Sequence, residues 1–308
     1  MAIERLSCAP DGGINEDLVA VIENEGCTDL LVLDGATSVA DADYVDRRQG
    51  DVAWFVQAFA AALGAVITPE RSQAETVRLA VQHVGREWAE RSAGQQVPLY
   101  AHPLAALTWI RIRRNASALA VSLYCLGDCK AFAVDAEGVV RDLDPYLNPF
   151  ESVVQDAVAA LAREGVRDPR ERRARLLPLL RTRREAQLSA AAPAVLCLSP
   201  QGPFQAREHA LQLPPASAVL ALTDGFNRLA DTYGLYTQDD LVRRCRADGL
   251  AGLMAQLRAW ETAGTKAALA VKNADDASAI MWTSDDVDAG HLSIRAAPAS
   301  ASTAEEQA

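Results

Sequence analysis

The 308-residue sequence predicts an α+β protein: mainly antiparallel β-sheets with helices packed outside them. Three observations carry that prediction. Short apolar runs come mostly in pairs joined by turn residues, as hairpins do and βαβ crossovers do not. Longer stretches with an apolar residue every three or four positions separate groups of such runs, so strands and helices alternate in blocks. No internal repeat or long linker divides the chain, and 50% of it is hydrophobic, enough for one large core.

In chain order, "DLVAVIE" and "DLLVLD" flank the turn "NEGCT" and predict a first hairpin. "DVAWFVQAFAAAL" places Trp54, Phe55, Ala58, Phe59 and Ala62 on one face. Residues 70–91 align Val77, Val81, Val84 and Trp88 in the same way, so two amphipathic helices follow. "LAALTWIRI" and "ASALAVSLYCL" form a second hairpin through "RRN", and "CKAFAVDAEGVVRDL" continues it through an Asp-Ala-Glu-Gly turn. Residues 151–187 read as helical and arginine-rich, with Pro178 expected to break or kink the helix. "AVLCLSP", "REHALQL" and "SAVLALTDG" read as strands, residues 237–262 as helix, and "ASAIMW" as the last strand. Trp54, Trp88, Trp109 and Trp282 fall in these patterns and are expected in the core. Residues 284–308 are acidic, then rich in Ala, Ser and Thr, and are expected to form a disordered tail behind a domain spanning residues 1–283.

Net charge is −11, so the chain has no electrostatic reason to seek nucleic acid or anionic lipid; divalent cations and basic partners suit it better. The six cysteines form no C-x-x-C pair and mostly sit in apolar runs. Neither a signal peptide nor a membrane-length apolar run is visible. A reduced, cytoplasmic protein is therefore expected. G-x-x-x-x-G-K, G-x-G-x-x-G, G-x-S-x-G and H-E-x-x-H are all absent.

The informative residues are acids at strand ends and in tight turns: Glu16 and Asp17 in "GINEDL", Asp34 in "LDGA", Asp128 in "CLGDCKAF", Asp224 in "LTDGF", and Asp275 and Asp276 in "NADDASAIMW". Each alone reads as an ordinary turn or cap residue. Together, if they converge, they would repel one another until they took up protons or bound cations, and hard oxygen ligands suit Mg²⁺ or Mn²⁺.

The ordered series "NED", "DG", "GD-x-x-A", "TDG" and "DD-x-S-x-I" resembles the metal-dependent PPM, or type 2C, protein phosphatases, in their bacterial form. The resemblance spans residues 10 to 283. It implies an αββα sandwich with a two-metal centre holding Mn²⁺ or Mg²⁺ at one end. It also implies hydrolysis of phosphomonoesters, foremost phosphoserine and phosphothreonine in proteins, by metal-activated water. Carried over by motif, Asp34 would bridge the metals and the Gly35 carbonyl would ligate one. Asp224 and Asp275 would bind the first metal, and Glu16 and Asp17 would serve the second. Asp128 matches an accessory third position. Asp34, Asp224 and Asp275 are thus the implied catalytic residues.

The chain departs from the pattern in three places. Gly12 stands where the family places a phosphate-binding arginine. Ala36 occupies the position of a histidine that some members use as general acid. Arg228 replaces an aspartate of the third metal site, which puts that site in question, and Arg228 becomes a candidate substrate-binding cation. The arginines of residues 163–184 fall where the family has a variable flap. Their plain reading is a solvated helix face, and the sharper one is a phosphate- or partner-binding arm. Lys130 and Lys272 beside the motifs are further candidate cations. Two alternatives to a protein phosphatase follow: a pseudophosphatase serving as a binding module, and a phosphatase of a small phosphorylated metabolite.

Overall fold

The computed structural model describes residues 1–10, 12–115, 117–263 and 274–284, so Lys272 and the expected tail beyond residue 284 lie outside the described residues. Two antiparallel sheets stack face to face. The first runs in the order β1 (Ala2–Cys8), β11 (Ala277–Thr283), β10 (Ala218–Leu222), β6 (Lys130–Val134), β7 (Val140–Asp142). The second runs β2 (Asp17–Asn24), β3 (Cys27–Gly35), β4 (Leu104–Arg114), β5 (Leu119–Leu126), β9 (Arg207–Leu213), with the short β8 (Leu196–Cys197) also paired to β4. Helices α1 (Asp51–Val66) and α2 (Gln73–Arg91) cover the outer face of the second sheet. Helices α6 (Gln238–Asp248) and α7 (Leu250–Ala263), with the short α5 (Asp224–Asn227), cover that of the first. The result is the αββα sandwich expected, and no described helix is long and apolar enough to cross a membrane.

The alternation of side chains along β3 builds this layering. Leu31 and Leu33 pack with Trp54, Phe55 and Phe59 under the helices, while Leu30 and Val32 meet Val219, Ile280 and Trp282 between the sheets. Both faces are buried, which is why "LLVL" is apolar throughout. The same parity puts Asp34 on the inter-sheet face, where β3 leaves the core.

Four elements differ from expectation. β1 was not expected: "AIERLSC" is an edge strand with only half-buried and exposed residues, so it carries no apolar run, and β11 recruits it by pairing. The stretch after β5 does not extend the same hairpin. The chain crosses at Gly127–Cys129 to the other sheet, where β6 pairs with β10 and β7. The arginine-rich helix is not broken at Pro178. It is one helix, α4 (Pro169–Leu188), and the interruption lies earlier, after α3 (Glu151–Arg163), at Gly165 with φ 85°. Gly249, with φ 79°, likewise separates α6 from α7. All six cysteines are unbridged, and the four named tryptophans are in the core.

Candidate metal centre

Both sheets deliver acids to one end of the sandwich. In the β2–β3 ladder Asp17 stands directly opposite Asp34. From the facing sheet, the Thr223 hydroxyl at the end of β10 donates to Asp17 Oδ2 at 2.9 Å, and Ser278 in β11 also hydrogen-bonds to that carboxylate. Glu16 is tied across the sheets by its backbone, its N–H donating to Asp276 Oδ2 at 2.7 Å. Asp224 opens α5 immediately after β10, and Asp275 immediately precedes β11. Asp128 sits in the crossing from β5 to β6, where Asn148 Nδ2 donates to its Oδ2 at 2.6 Å. A cavity of about 220 Å³ lies here, lined by Glu16, Asp275 and Asp276 among others. A larger one of about 280 Å³ lies between β7 and β9 at the sandwich edge, and none of these acids lines it.

Two glycines permit this approach of chains. A Cβ on Gly35 would come within 2.5 Å of the Glu16 carbonyl oxygen, and one on Gly225 within 1.8 Å of the Asp276 carbonyl oxygen. No side chain fits at either place, so the glycines of "DG" and "TDG" let β3 lie against the entry to β2, and α5 against the entry to β11.

The acids act on one another. Burial raises the Asp34 carboxyl well above its ordinary range, and the charges of Asp224, Asp17 and Asp128 raise it further. Asp17 is raised by burial against the bonds from Thr223 and Ser278, with Asp224 and Asp276 adding to it. Asp224 reaches solvent, yet the protein packed around it, then Asp128 and Asp275, push it up to about 7. Asp34 and Asp224 also share a hydrogen bond, as a protonated acid does with a carboxylate. The sequence-predicted Glu16, Asp17, Asp34, Asp128, Asp224 and Asp275 are thus gathered at one end of the sandwich. Among the described residues no group of three or more His, Cys, Asp or Glu side chains is placed to hold a metal ion. The donors are carboxylates from two sheets, their pKa values raised by burial and by one another. Their oxygen donors are of the class that suits Mg²⁺ or Mn²⁺.

The cations around the acids are arranged differently from expectation. Arg228 is buried, pairs with Glu261 at 3.7 Å and lies over the Tyr233 ring, so its charge is engaged in the helix layer. Lys130 donates to the Tyr146 carbonyl. Gly12 is exposed with φ 65°, and open space surrounds it. The arginine run is not a uniformly solvated face. Arg175 is, with Glu164 and Glu171 as partners. Arg173, Arg181 and Arg184, however, clamp the loop after Asp34, donating to the carbonyls of Ser38 (2.7 Å), Val39 (2.8 Å), and Ala36 and Thr37 (both 3.1 Å). Arg183 donates to Asn148 Oδ1 at 3.1 Å and so backs the group that holds Asp128.

Sequence reasoning gave Thr223, Ser278 and Asn148 no role. The first two stood inside the quoted motifs "TDG" and "DD-x-S-x-I"; Asn148 had no signal, because only folding brings residue 148 to residue 128.

No family model and no curated protein sequence matches the chain. Solved structures do. The serine/threonine phosphatase of S. agalactiae is 12% identical, over 92% of this chain and 99% of its own, with a TM-score of 0.51. PppA, described as a key regulatory component of the T6SS in Pseudomonas aeruginosa, is 15% identical over 91% of this chain and 97% of its own, with a TM-score of 0.47. The catalytic domain of the serine/threonine protein phosphatase PstP, solved with two manganese ions, is 14% identical over 91% and 96%, with a TM-score of 0.48. These neighbours are PPM-type serine/threonine phosphatases, and at such identity what this chain shares with them is the fold.

Proposed function

We propose that this chain is a divalent-metal-dependent phosphatase of the PPM type, hydrolysing phosphoserine or phosphothreonine esters in proteins. The observation that carries the proposal is the gathering of Asp17, Asp34, Asp128, Asp224 and Asp275 from two sheets at one end of the sandwich, where their charges act on one another and raise the pKa values of Asp17, Asp34 and Asp224. Asp34, Asp224 and Asp275 would hold one Mg²⁺ or Mn²⁺, and Asp34, Glu16 and Asp17 a second. When bound, the cations supply Lewis-acid activation of a water nucleophile and neutralise charge on the phosphoryl group.

The chain's own groups do the rest. Thr223 and Ser278 keep Asp17 aimed across the sheets, the Asp276 carboxylate fixes the Glu16 backbone, and Asn148 holds Asp128. No covalent nucleophile is called for: Cys129, next to Asp128, is fully buried, and burial with the surrounding carboxylates keeps its thiol protonated.

Hydrolysis of p-nitrophenyl phosphate and of a phosphothreonine peptide, with Mn²⁺, Mg²⁺ or EDTA, tests the proposal. Turnover is expected with metal, absent with EDTA, and lost in a folded Asp224→Asn variant. Undiminished turnover in that variant would overturn it. Gly12 favours a second reading, a binding module without catalysis. Folded protein that neither turns over nor binds metal would select it, whereas turnover of free phosphoesters but not of the peptide would point to a small metabolite.

A further inference from the structure

We propose that Arg183 and Arg184 of α4 are the cations that grip the phosphate in this chain, in place of the arginine missing at Gly12. The proposal rests on the phosphatase reading for its substrate class, a phosphomonoester dianion, and on the position of the two side chains for its site.

Neighbouring residues on a helix point about 100° apart, so Arg183 and Arg184 leave α4 in different directions. Arg184 reaches the loop after Asp34, donating to the Ala36 and Thr37 carbonyls, and it feels the charge of Glu16. Arg183 donates instead to Asn148, which holds Asp128, and it feels the Asp128 charge. The pair therefore contacts both the loop after Asp34 and the group that holds Asp128.

Neither charge meets a described carboxylate directly. Arg184 is 6% exposed, and among the described residues neither arginine has a carboxylate within ion-pair distance. Burial lowers both guanidinium pKa values, Arg184 to about 10, with the Arg183 charge adding to the fall at Arg184. A buried cation without a direct ion-pair partner is costly, and a dianion would supply one. The bonds made to described residues use only one nitrogen, Nη2, of each fork. A guanidinium has five N–H donors, so Nε and Nη1 of both remain for an anion. Two other arginines of the run do have carboxylate partners: Arg175 pairs with Glu164 and Glu171, and Arg181 with Asp41.

The test compares Arg183→Gln, Arg184→Gln, the double variant, Arg184→Lys and the outer-face control Arg175→Gln. Inorganic phosphate binding is measured by calorimetry with Mn²⁺ present, beside KM and kcat for p-nitrophenyl phosphate. Each single Gln variant is expected to raise the phosphate Kd and KM by about tenfold or more, the scale of one charge-assisted hydrogen bond, with a much smaller change in kcat. Arg184→Lys should recover part of the loss, and the control should match wild type. A folded double variant that binds phosphate as wild type does would overturn the proposal, as would wild type that binds none. Phosphate binding lost in the variants of a protein that never turns over would uphold this site and overturn the phosphatase reading. Normal turnover and KM in the double variant would do the reverse. If Arg184→Gln does not fold, Arg183→Gln and Arg184→Lys decide.

Discussion

Asp17 and Asp34 face each other in a β-ladder, where like charges ordinarily destabilise pairing. The chain tolerates them because Thr223 donates to Asp17 and because Asp34 shares a hydrogen bond with Asp224. Neutralising one acid should therefore relieve repulsion while removing a ligand. In EDTA at pH 8, Asp224→Asn is expected to melt higher than wild type; with saturating Mn²⁺ its melting point should stay put while that of wild type rises. Thermal melts with and without metal check both. Gly225 is constrained by space rather than charge. Gly225→Ala would press a methyl against the Asp276 backbone, and a loss of about 1–3 kcal/mol in urea unfolding is expected.

β3 carries the site at one end and a buried ion pair at the other. Asp29 is fully buried and accepts from Arg111 Nε and Trp109 Nε1, both at 2.7 Å. Arg111 in turn caps the carbonyls of Thr68, Pro69 and Arg71 between α1 and α2. Removing one partner leaves the other charge buried, so Asp29→Ala should cost about 3–5 kcal/mol in denaturant unfolding. Below its melting point the same variant should retain wild-type KM, since its contacts lie away from the acids. Helix α4 shows why an element's composition can mislead. "RERRAR" and "RTRRE" read alike as solvated charge, yet folding sends Arg175 to water and to glutamates, and Arg173, Arg181 and Arg184 onto the loop after Asp34.

Across the molecule, the acids couple stability to pH. Asp17, Asp34 and Asp224 hold protons in the folded chain that the unfolded chain gives up near pH 4. Between about pH 4 and 7 the folded state therefore binds more protons, and these groups make stability fall as pH rises through that window. Metal-free protein is expected to melt higher at pH 5 than at pH 8. Asp144, held below its usual range by Arg207 and His209 against its burial, works in the opposite direction, but only below about pH 4. Adding Mn²⁺ at pH 8 should restore the loss by binding the ionised acids; at a hundredfold excess over Kd the gain is about 2.7 kcal/mol. A melting point in EDTA that climbs from pH 5 to pH 8 would contradict the clustering of the acids.

The local chemistry of strands and turns was open to reading because it depends on near neighbours. Alternation in "LLVLDG", the helical spacing of Trp54 to Ala62, and the acid at each strand end are all short-range patterns. They were enough to reveal the layered fold and the acids Glu16, Asp17, Asp34, Asp128, Asp224 and Asp275. What depended on partners distant in sequence was not legible. Edge strand β1 exists because β11 pairs with it, the crossing at Gly127 carries the chain to the facing sheet, and Asp128 is held by Asn148. Arg228, read as a phosphate cation from its place four residues after Asp224, is drawn instead to Glu261. Sequence by itself determined which residues carry charge and which backbone turns can present them. Only the tertiary structure decided which charges meet, because a carboxylate or a guanidinium takes whichever partner the packing of two sheets and their helices brings within a few ångströms.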